Sequence, residues 1–223
     1  MYLCIPNLLG EDQVAELSGL MERQAFADGR ATGGLAAKEI KNNLQAPADT
    51  ESYARMRAIV LEAVNSNRQF SLVAIPRFIL PIRFARYTEG MNYGRHVDNA
   101  VMGNNPPIRI DMAFTVFLTD PDEYEGGELT VYEQASLNRF KLPKGSAVLY
   151  ESNTLHEVAP VTAGRRDVAV GWLQSMIRNP VQRQIVCELE GLRTGMLAKE
   201  GRTPEFDTLS RNVAELWHMW VET

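Results

Sequence analysis

Two imidazoles and one carboxylate carry the most specific chemistry in this sequence. His96 and Asp98 are separated by one residue, and His156 follows much later in the chain. Residues i and i+2 of a strand lie on the same face, so His96 and Asp98 can reach a common ligand. Two histidines and one carboxylate leave open positions on Fe(II), as in non-haem iron oxygenases. The pattern predicts that His96, Asp98 and His156 form a catalytic iron site.

Arg166 supplies a cation at a suitable distance along the chain from His156. A dicarboxylic co-substrate that chelates iron at one end needs a cation about one molecule's length away, and a guanidinium can bind the far carboxylate with two hydrogen bonds. Strand alternation places Arg166 on the same face as Val168 and Val170, and Arg165 on the opposite face. We therefore expect Arg166 to face the interior and Arg165 to face outward.

Zinc hydrolysis is the first competing chemistry, because His156 and Glu157 begin a metalloprotease-like motif. Pro160 occupies the position of the required second histidine and disfavours the helix that this motif needs. The sequence also lacks a Walker loop, a dinucleotide-binding glycine motif and a nucleophile elbow. His218, the remaining histidine, has no ligand partner at helical spacing and is expected to be structural.

The elements that must position these residues change type along the chain. Apolar residues at helical spacing predict helices over 11–25 and 50–64, the second capped by Thr50. Asn179 as cap and Pro180 at the first position predict a third helix, and a last helix carries Trp217 and Trp220. Between the second and the third of these helices, eight short strands are predicted at Phe70–Ile75, Leu80–Tyr87, Asp111–Thr119, Glu128–Glu133, Asn138–Leu142, Ala147–Glu151, Glu157–Val161 and Arg166–Met176.

Strands without intervening helices predict an α+β protein that is mainly β, with a double-sheet jelly roll or barrel and flanking N- and C-terminal helices. The mouth of such a barrel can hold a ligand. We divide the chain into residues 1–177, the jelly-roll domain with its N-terminal helices, and residues 178–223, a C-terminal helical extension.

A polar segment from residue 29 to residue 43 separates the first two helices. It is either a solvated connector or a lid that contributes polar groups to a substrate pocket. Polar residues in loops near the histidine motif suggest a substrate-facing set, which consists of Lys41, Asn43, Asn92 and Arg109.

The composition is that of an ordinary globular protein. The 223 residues are 45% hydrophobic and 23% charged, with a formal net charge of -5. The acidic balance argues against a nucleic-acid partner, because phosphate binding needs a basic surface. Two cysteines indicate a reducing compartment, and the absence of a signal-like N-terminus or a membrane-length apolar run favours a bacterial-type cytoplasmic protein without a membrane partner. A homodimer is the generic expectation for an oligomer.

Several strings of residues resemble one enzyme superfamily, the Fe(II)- and 2-oxoglutarate-dependent dioxygenases. More narrowly, they resemble its PKHD-type, or PiuC-like, hydroxylases. The strings are Arg86–Asp98, Asp120–Leu129 with its Gly-Gly-Glu-Leu, Leu142–Gly145, His156 and Gly164-x-Arg166, together with Gly29–Thr32, Lys41–Asn43 and Trp172–Ser175. The resemblance covers nearly the whole chain.

This resemblance implies a double-stranded β-helix in which His96, Asp98 and His156 bind iron. Arg166, assisted by Tyr87, would bind the distal carboxylate of 2-oxoglutarate. The implied reaction couples oxidative decarboxylation of 2-oxoglutarate by dioxygen to C-H hydroxylation of a substrate, with ascorbate as an optional reductant. Members of the group are associated with bacterial iron uptake, which suggests a siderophore-related small molecule, whereas the family name suggests a prolyl or lysyl side chain of a peptide.

Two alternatives remain open at this point. The same barrel could be a non-catalytic module that senses iron or 2-oxoglutarate, or a structural barrel without metal. Succinate formation coupled to oxygen consumption would distinguish an enzyme from a sensor.

Overall fold

Two antiparallel sheets form the centre of the computed structural model, which describes residues 2–103, 105–133 and 136–222. The strands are β1 (Tyr2–Ile5), β2 (Ala27–Asp28), β3 (Lys41–Asn42), β4 (Leu44–Gln45), β5 (Pro76–Ile79), β6 (Arg83–Thr88), β7 (Asn92–His96), β8 (Val101–Met102), β9 (Ile108–Arg109), β10 (Met112–Phe117), β11 (Tyr124–Gly126), β12 (Leu129–Glu133), β13 (Ser136–Phe140), β14 (Ala147–Glu151), β15 (Leu155–Val158) and β16 (Val161–Ser175). The helices are α1 (Glu11–Glu22), α2 (Leu35–Ile40), α3 (Glu51–Ser66), α4 (Arg68–Ala74), α5 (Pro180–Glu200) and α6 (Pro204–Trp220), with a 3-10 turn at Gly29–Thr32.

The larger sheet has the order β1-β14-β10-β16-β6-β4-β2, and β5 and β11 also pair with β16. The smaller sheet has the order β13-β12-β15-β7-β3, and β8 and β9 form a separate hairpin. These two sheets with flanking helices give the mainly β architecture that the strand pattern predicts.

The two faces of the larger sheet bury different cores. On β6, Ala85 and Tyr87 belong to a buried cluster that includes Leu129 and Val131 of the smaller sheet. Phe84, which immediately precedes Ala85, belongs to a second cluster with residues of α1, α3 and α4. The period of two along each strand therefore separates an inter-sheet interior from a helix-covered outer face.

The predicted helix starts are confirmed at two caps. The Thr50 side chain accepts a hydrogen bond from the backbone N-H of Tyr53 at the start of α3. The Asn179 side chain accepts from the N-H of Val181 at the start of α5, with Pro180 in the first position. Side-chain oxygens at these positions satisfy backbone donors that have no partner within the helix.

The predicted strand Phe70–Ile75 is wrong, because this segment forms α4. The Asn67 side chain accepts a hydrogen bond from the N-H of Phe70 and starts the helix. Phe70 and Ala74 are both buried, at the i, i+4 spacing of a helix face. The helix ends at Ile75, which has a φ of 45°. Apolar and β-branched content favoured a strand here, whereas the cap and the tertiary core favour a helix.

Other boundaries shift by a few residues. The strand predicted from Leu80 begins at Arg83, and the strand predicted from Arg166 begins at Val161. The strand predicted from Glu157 to Val161 is Leu155–Val158, so His156 lies inside β15. β1, which the sequence pattern did not predict, pairs with β14 at the edge of the larger sheet.

The two C-terminal helices pack on the body of the protein through a small apolar cluster and one buried ion pair. Val186 of α5 is buried with Ile75 and Ile177, and Trp217 and Trp220 of α6 pack against them. No described helix is both long and apolar enough to cross a membrane.

The buried ion pair joins Arg183 of α5 to Glu151 of β14. The Arg183 guanidinium is fully buried and donates to Glu151 at 2.5 Å and to the carbonyl of Ile177 at 2.7 Å. A charge removed from water in this way is costly unless an opposite charge pairs with it. Arg183 therefore fixes the C-terminal helices on the sheet.

We expect Arg183→Met to lower the free energy of unfolding by about 3–5 kcal/mol, because it leaves the Glu151 carboxylate buried without a cation. Arg193→Met is the matched control, since Arg193 and Glu190 form a partly exposed pair on α5, and it should cost about 1 kcal/mol or less. Urea denaturation followed by circular dichroism measures both. Equal losses of unfolding free energy in the two variants would contradict the role of the buried ion pair in fixing the C-terminal helices.

Candidate active site

His96 and His156 lie directly opposite each other on paired strands. In the antiparallel pairing of β7 and β15, His96 is the register partner of His156, and the ring centroids are 4.2 Å apart. Asp98 lies in the loop just after β7, so the expectation that it shares an extended strand with His96 needs correction. One ligand atom from each residue lies within 4.8 Å of the others, and His156 Nε2 is 3.8 Å from Asp98 Oδ2. The three side chains thus converge on one point.

The backbone sets the orientation of both imidazole rings. Nδ1 of His96 lies 2.8 Å from the carbonyl oxygen of Gly94, and Nδ1 of His156 lies 2.9 Å from that of Thr154. A carbonyl oxygen only accepts hydrogen bonds, so each Nδ1 must carry the proton and donate it. In the neutral imidazole this leaves the Nε2 lone pair free for a metal.

The electrostatics of the cluster suit a divalent cation. Burial, and next the neighbouring His156, lower the pKa of His96 to about 4, so its imidazole is neutral at physiological pH. Burial raises the pKa of Asp98, and its Oδ2 has no hydrogen-bond partner among the described residues. An unpartnered buried carboxylate oxygen is costly unless a cation binds it. Two imidazoles and this carboxylate form a donor set that fits Fe(II).

Arg166 is a buried cation without a carboxylate partner in the described part of the chain. It is 1% exposed, and its Nε and Nη1 make no hydrogen bond there. It lies opposite Tyr87 in the β16–β6 register, and its guanidinium carbon lies 5.0 Å from the Tyr87 ring centroid. Arg165 faces outward and pairs with Glu22 and Asp167, as alternation predicts. The unpaired guanidinium of Arg166 is therefore a site for an anion.

Gly127 makes room for this guanidinium. It adopts a φ of +67°, and a Cβ at this position would lie 3.1 Å from Cδ of Arg166 and 3.1 Å from the Tyr124 ring. The second glycine of the Gly-Gly-Glu-Leu string is thus required both by backbone conformation and by the space that Arg166 occupies.

One cavity of about 930 Å³ joins the histidine cluster to Arg166. The three expected iron ligands line this cavity together with Arg166 and Tyr87, and so do Lys41 and Asn43. Of the two interpretations of the polar segment 29–43, the structure favours a role at the pocket, because Thr32, Ala37 and Ile40 also form part of the cavity wall.

Arg109 and Asn92 do not line this cavity, which corrects their expected place on the substrate side. The guanidinium of Arg109 donates to Asp111 at 2.9 Å and to Glu222 at 2.5 Å. Two carboxylates hold it against the C-terminal segment. Asn92 is the register partner of Asn42 in the β3–β7 pairing. Polarity near the motif was too weak a signal to place either side chain.

Two further cavity residues, Arg83 and Tyr93, were not predicted from the sequence. Arg83 could have been found, because it shares a strand face with Ala85 and Tyr87 at a period of two. Tyr93 stacks on His96 with ring centroids 3.7 Å apart. No sequence signal indicates that contact.

Lys41 presents a buried amine to the cavity. It is 7% exposed, and its Nζ donates to Thr32 Oγ1 at 3.0 Å and lies 5.4 Å from the Tyr93 ring centroid. Burial, and next the positive charge of Arg83, lower the pKa of Lys41 to about 8.

Comparison with known proteins gives consistent matches. The model of the 2OG-Fe(II) oxygenase superfamily matches residues 82–174. A PKHD-type hydroxylase of Crocosphaera subtropica is 39% identical over 222 residues, and one of Acaryochloris marina is 40% identical over 222 residues; each match covers the whole of both chains. A solved prolyl-4-hydroxylase of Pseudomonas putida has a TM-score of 0.57 at 19% identity and covers 78% of this chain and 92% of its own. This last likeness confirms the jelly-roll fold.

We expect Lys41→Met to stabilise the metal-free protein at pH 7, because it removes a charge from a buried position. A gain of 1 kcal/mol would raise the midpoint of thermal unfolding by about 2–4 °C. Below about pH 8 the lysine is charged in both folded and unfolded states, so the burial cost is complete there. Between about pH 8 and the ordinary pKa of 10.5, the unfolded chain holds the proton that the folded protein has lost, and the wild type regains stability as pH rises.

Differential scanning calorimetry at pH 7 and at about pH 9.5 measures this effect. Lys38→Met is the control, since Lys38 is exposed on α2, and it should change little at either pH. A Lys41→Met variant that is less stable than the wild type at pH 7 would contradict the burial cost.

Proposed function

The chain belongs to the PKHD-type hydroxylases of the 2OG-Fe(II) oxygenase superfamily, and we propose that His96, Asp98 and His156 bind its Fe(II) while Arg166 and Tyr87 bind its 2-oxoglutarate. The observation that carries this proposal is one cavity with three converging metal donors at one place and an unpaired buried guanidinium at another. A dicarboxylate that reaches the metal at one end needs such a cation at its other end.

The protein is a 2-oxoglutarate-dependent dioxygenase that uses Fe(II) and 2-oxoglutarate. When bound, Fe(II) would activate dioxygen, and oxidative decarboxylation of 2-oxoglutarate would supply two of the electrons that reduce it, so that one oxygen atom can enter a substrate C-H bond. The residues of the chain bind and orient these groups and the substrate, and they exclude water from the site. Both imidazole rings are oriented by backbone carbonyls, so metal binding would need little rearrangement of them.

Arg166 and Tyr87 would act together on the distal carboxylate. The guanidinium provides two parallel N-H donors and a full charge, and the Tyr87 hydroxyl provides a third donor from the adjacent strand. Both side chains are buried, at 1% and 3% exposure, so little water competes for the anion. Hydrogen bonds to charge are stronger in such an environment than at a surface.

The proposal extends to the class of substrate. A cavity of about 930 Å³ lies in the size range of small-molecule sites, so we favour a small molecule over a folded protein. A link to bacterial iron uptake rests on the sequence resemblance alone. Mass analysis of siderophores from a deletion strain tests that link, because a hydroxylated product would disappear only if the link holds. Ascorbate is proposed only as a reductant.

We also propose that residues 1–177 form the catalytic jelly-roll domain, with residues 178–223 as a helical extension docked on it through Arg183. A homodimer is the simplest assembly for such a protein. Light scattering of the full chain tests for this homodimer, and a monomeric mass would refute it.

A non-catalytic sensor of iron or 2-oxoglutarate is the second candidate. It would bind both groups through the same residues without forming succinate. Family membership favours the enzyme, and the substrate-independent formation of succinate from 2-oxoglutarate with consumption of oxygen would exclude a pure sensor.

We expect the wild-type protein, loaded with Fe(II) without oxygen, to develop a visible charge-transfer band on addition of 2-oxoglutarate. Asp98→Ala should lose metal affinity, and Arg166→Met should weaken 2-oxoglutarate binding by about 30-fold or more, because truncating one partner of a buried charge pair costs about 2–5 kcal/mol. Tyr87→Phe should weaken it less, since one hydrogen bond to a charged group is worth about 1.5–3 kcal/mol.

Arg165→Met is the matched control for Arg166→Met, because Arg165 is the adjacent arginine on the opposite face of β16. It should bind 2-oxoglutarate like the wild type. A folded wild type without the band would refute the iron assignment. Equal 2-oxoglutarate affinity in the two arginine variants would refute the role of Arg166.

A further inference from the structure

The cavity carries more positive charge than its proposed iron and co-substrate need. Four cationic side chains line it, namely Lys41, Arg83, Arg95 and Arg166, together with one carboxylate, Asp98. The charges of Fe(II), a 2-oxoglutarate dianion, Asp98 and Arg166 are plus two, minus two, minus one and plus one, and they cancel. The other three cations require a separate explanation.

Arg95 is already neutralised. Its Nε lies 3.1 Å from a carboxylate oxygen of Glu157, and its guanidinium lies over the Tyr132 ring. The side chain is 61% exposed, so water also solvates the charge. Lys41 and Arg83 are different, because neither forms an ion pair with a carboxylate anywhere in the described ranges.

Lys41 has unused hydrogen-bonding capacity inside the cavity. An ammonium has three donors, and one of them is used by Thr32 Oγ1. Thr32 in turn lies 2.7 Å from Gln45 Oε1, so the hydroxyl accepts from Lys41 and donates to Gln45. This network holds the ammonium in place without an ion pair, and Asp28, the carboxylate whose charge acts on Lys41, is itself paired with Arg30.

Arg83 approaches the same region from the opposite sheet. It is half-buried on β6, on the cavity face of that strand with Ala85 and Tyr87. Lys41 and Arg83 line the same cavity, and the positive charge of Arg83 is one cause of the lowered pKa of Lys41. Two unpaired like charges held close together are unfavourable unless an anion binds between them.

The place of this pair separates it from the 2-oxoglutarate end. Lys41 lies over Tyr93, and Tyr93 stacks on His96, so the ammonium is on the His96 side of the metal cluster. Arg166 lies instead opposite Tyr87 and near Phe117. Apolar residues, among them Ile40, Leu80 and Met102, also line the cavity.

We infer that Lys41 and Arg83 bind an oxyanion, a carboxylate or a phosphate, carried by the small molecule that the enzyme hydroxylates. The apolar wall would contact the body of that molecule, and the two cations would fix the end from which its reacting C-H is positioned. This inference rests on the proposed function, because it takes Arg166 as already occupied by 2-oxoglutarate.

The test uses protein loaded with Zn(II), a redox-inert stand-in for Fe(II), and saturated with 2-oxoglutarate. Fluorine NMR then measures the affinity of three probes: 4-fluorobenzoate, 4-fluorophenyl phosphate and the neutral 4-fluorobenzamide. We expect at least one anionic probe to bind tenfold or more tightly than the amide. The better anion also identifies which oxyanion the site prefers.

The variants separate charge from packing. Lys41→Met with Arg83→Met should reduce the preference for the anion to threefold or less, and each single variant should reduce it in part. Lys41→Arg with Arg83→Lys keeps both charges and should retain most of the preference. Arg77→Met, which removes an exposed arginine on β5, should leave it unchanged.

The anaerobic Fe(II) and 2-oxoglutarate band, recorded on the same variants, separates the two proposals. If the wild type forms the band but shows no preference for an anion, the inference is overturned and the proposed function stands. If the folded double variant loses 2-oxoglutarate binding, the two cations belong to 2-oxoglutarate and the inference is again overturned. If the wild type forms no band, the proposed function and this inference fall together.

Discussion

The antiparallel register between β7 and β15 is the constraint on which the site depends. It sets His96 directly opposite His156, with the two rings 4.2 Å apart. A shift by one residue would turn one of these side chains to the opposite face of the sheet. Irregular pairing follows immediately, between His156 and Val158, and the chain leaves regular strand structure after His96 to bring Asp98 to the same point. The smaller sheet thus builds the metal cluster.

The larger sheet supplies the second half of the site through β16. This strand pairs with β10 and β6 along most of its length, and it presents alternate residues to the two sides. Arg166 faces the cavity, whereas Asp167 faces the helices and binds Arg86 at 2.8 Å. A single strand therefore carries both the unpaired cation of the cavity and an ion pair that secures the helix-covered face.

The sequence predicted those features that depend on local patterns. Alternation placed Arg166 inward and Arg165 outward, and the caps at Thr50 and Asn179 lie where the side-chain oxygens indicated. It misassigned Phe70–Ile75, because a β-branched run bounded by turn residues is compatible with either a strand or a short buried helix. The position of Arg109 depends on Glu222, which is distant in sequence. The stacking of Tyr93 on His96 depends on how these two side chains of β7 are oriented in the folded protein. Such contacts are properties of the folded chain and leave no periodic trace.

We propose that one cavity holds Fe(II) at the histidine cluster and 2-oxoglutarate between that cluster and Arg166. Anomalous diffraction at the iron edge, from crystals grown without oxygen in the presence of both groups, tests it most directly. We predict one iron peak among His96, Asp98 and His156, with the distal carboxylate of 2-oxoglutarate on Arg166 and beside Tyr87. Iron bound elsewhere, or a distal carboxylate on Lys41 and Arg83 with Arg166 unpaired, would contradict it.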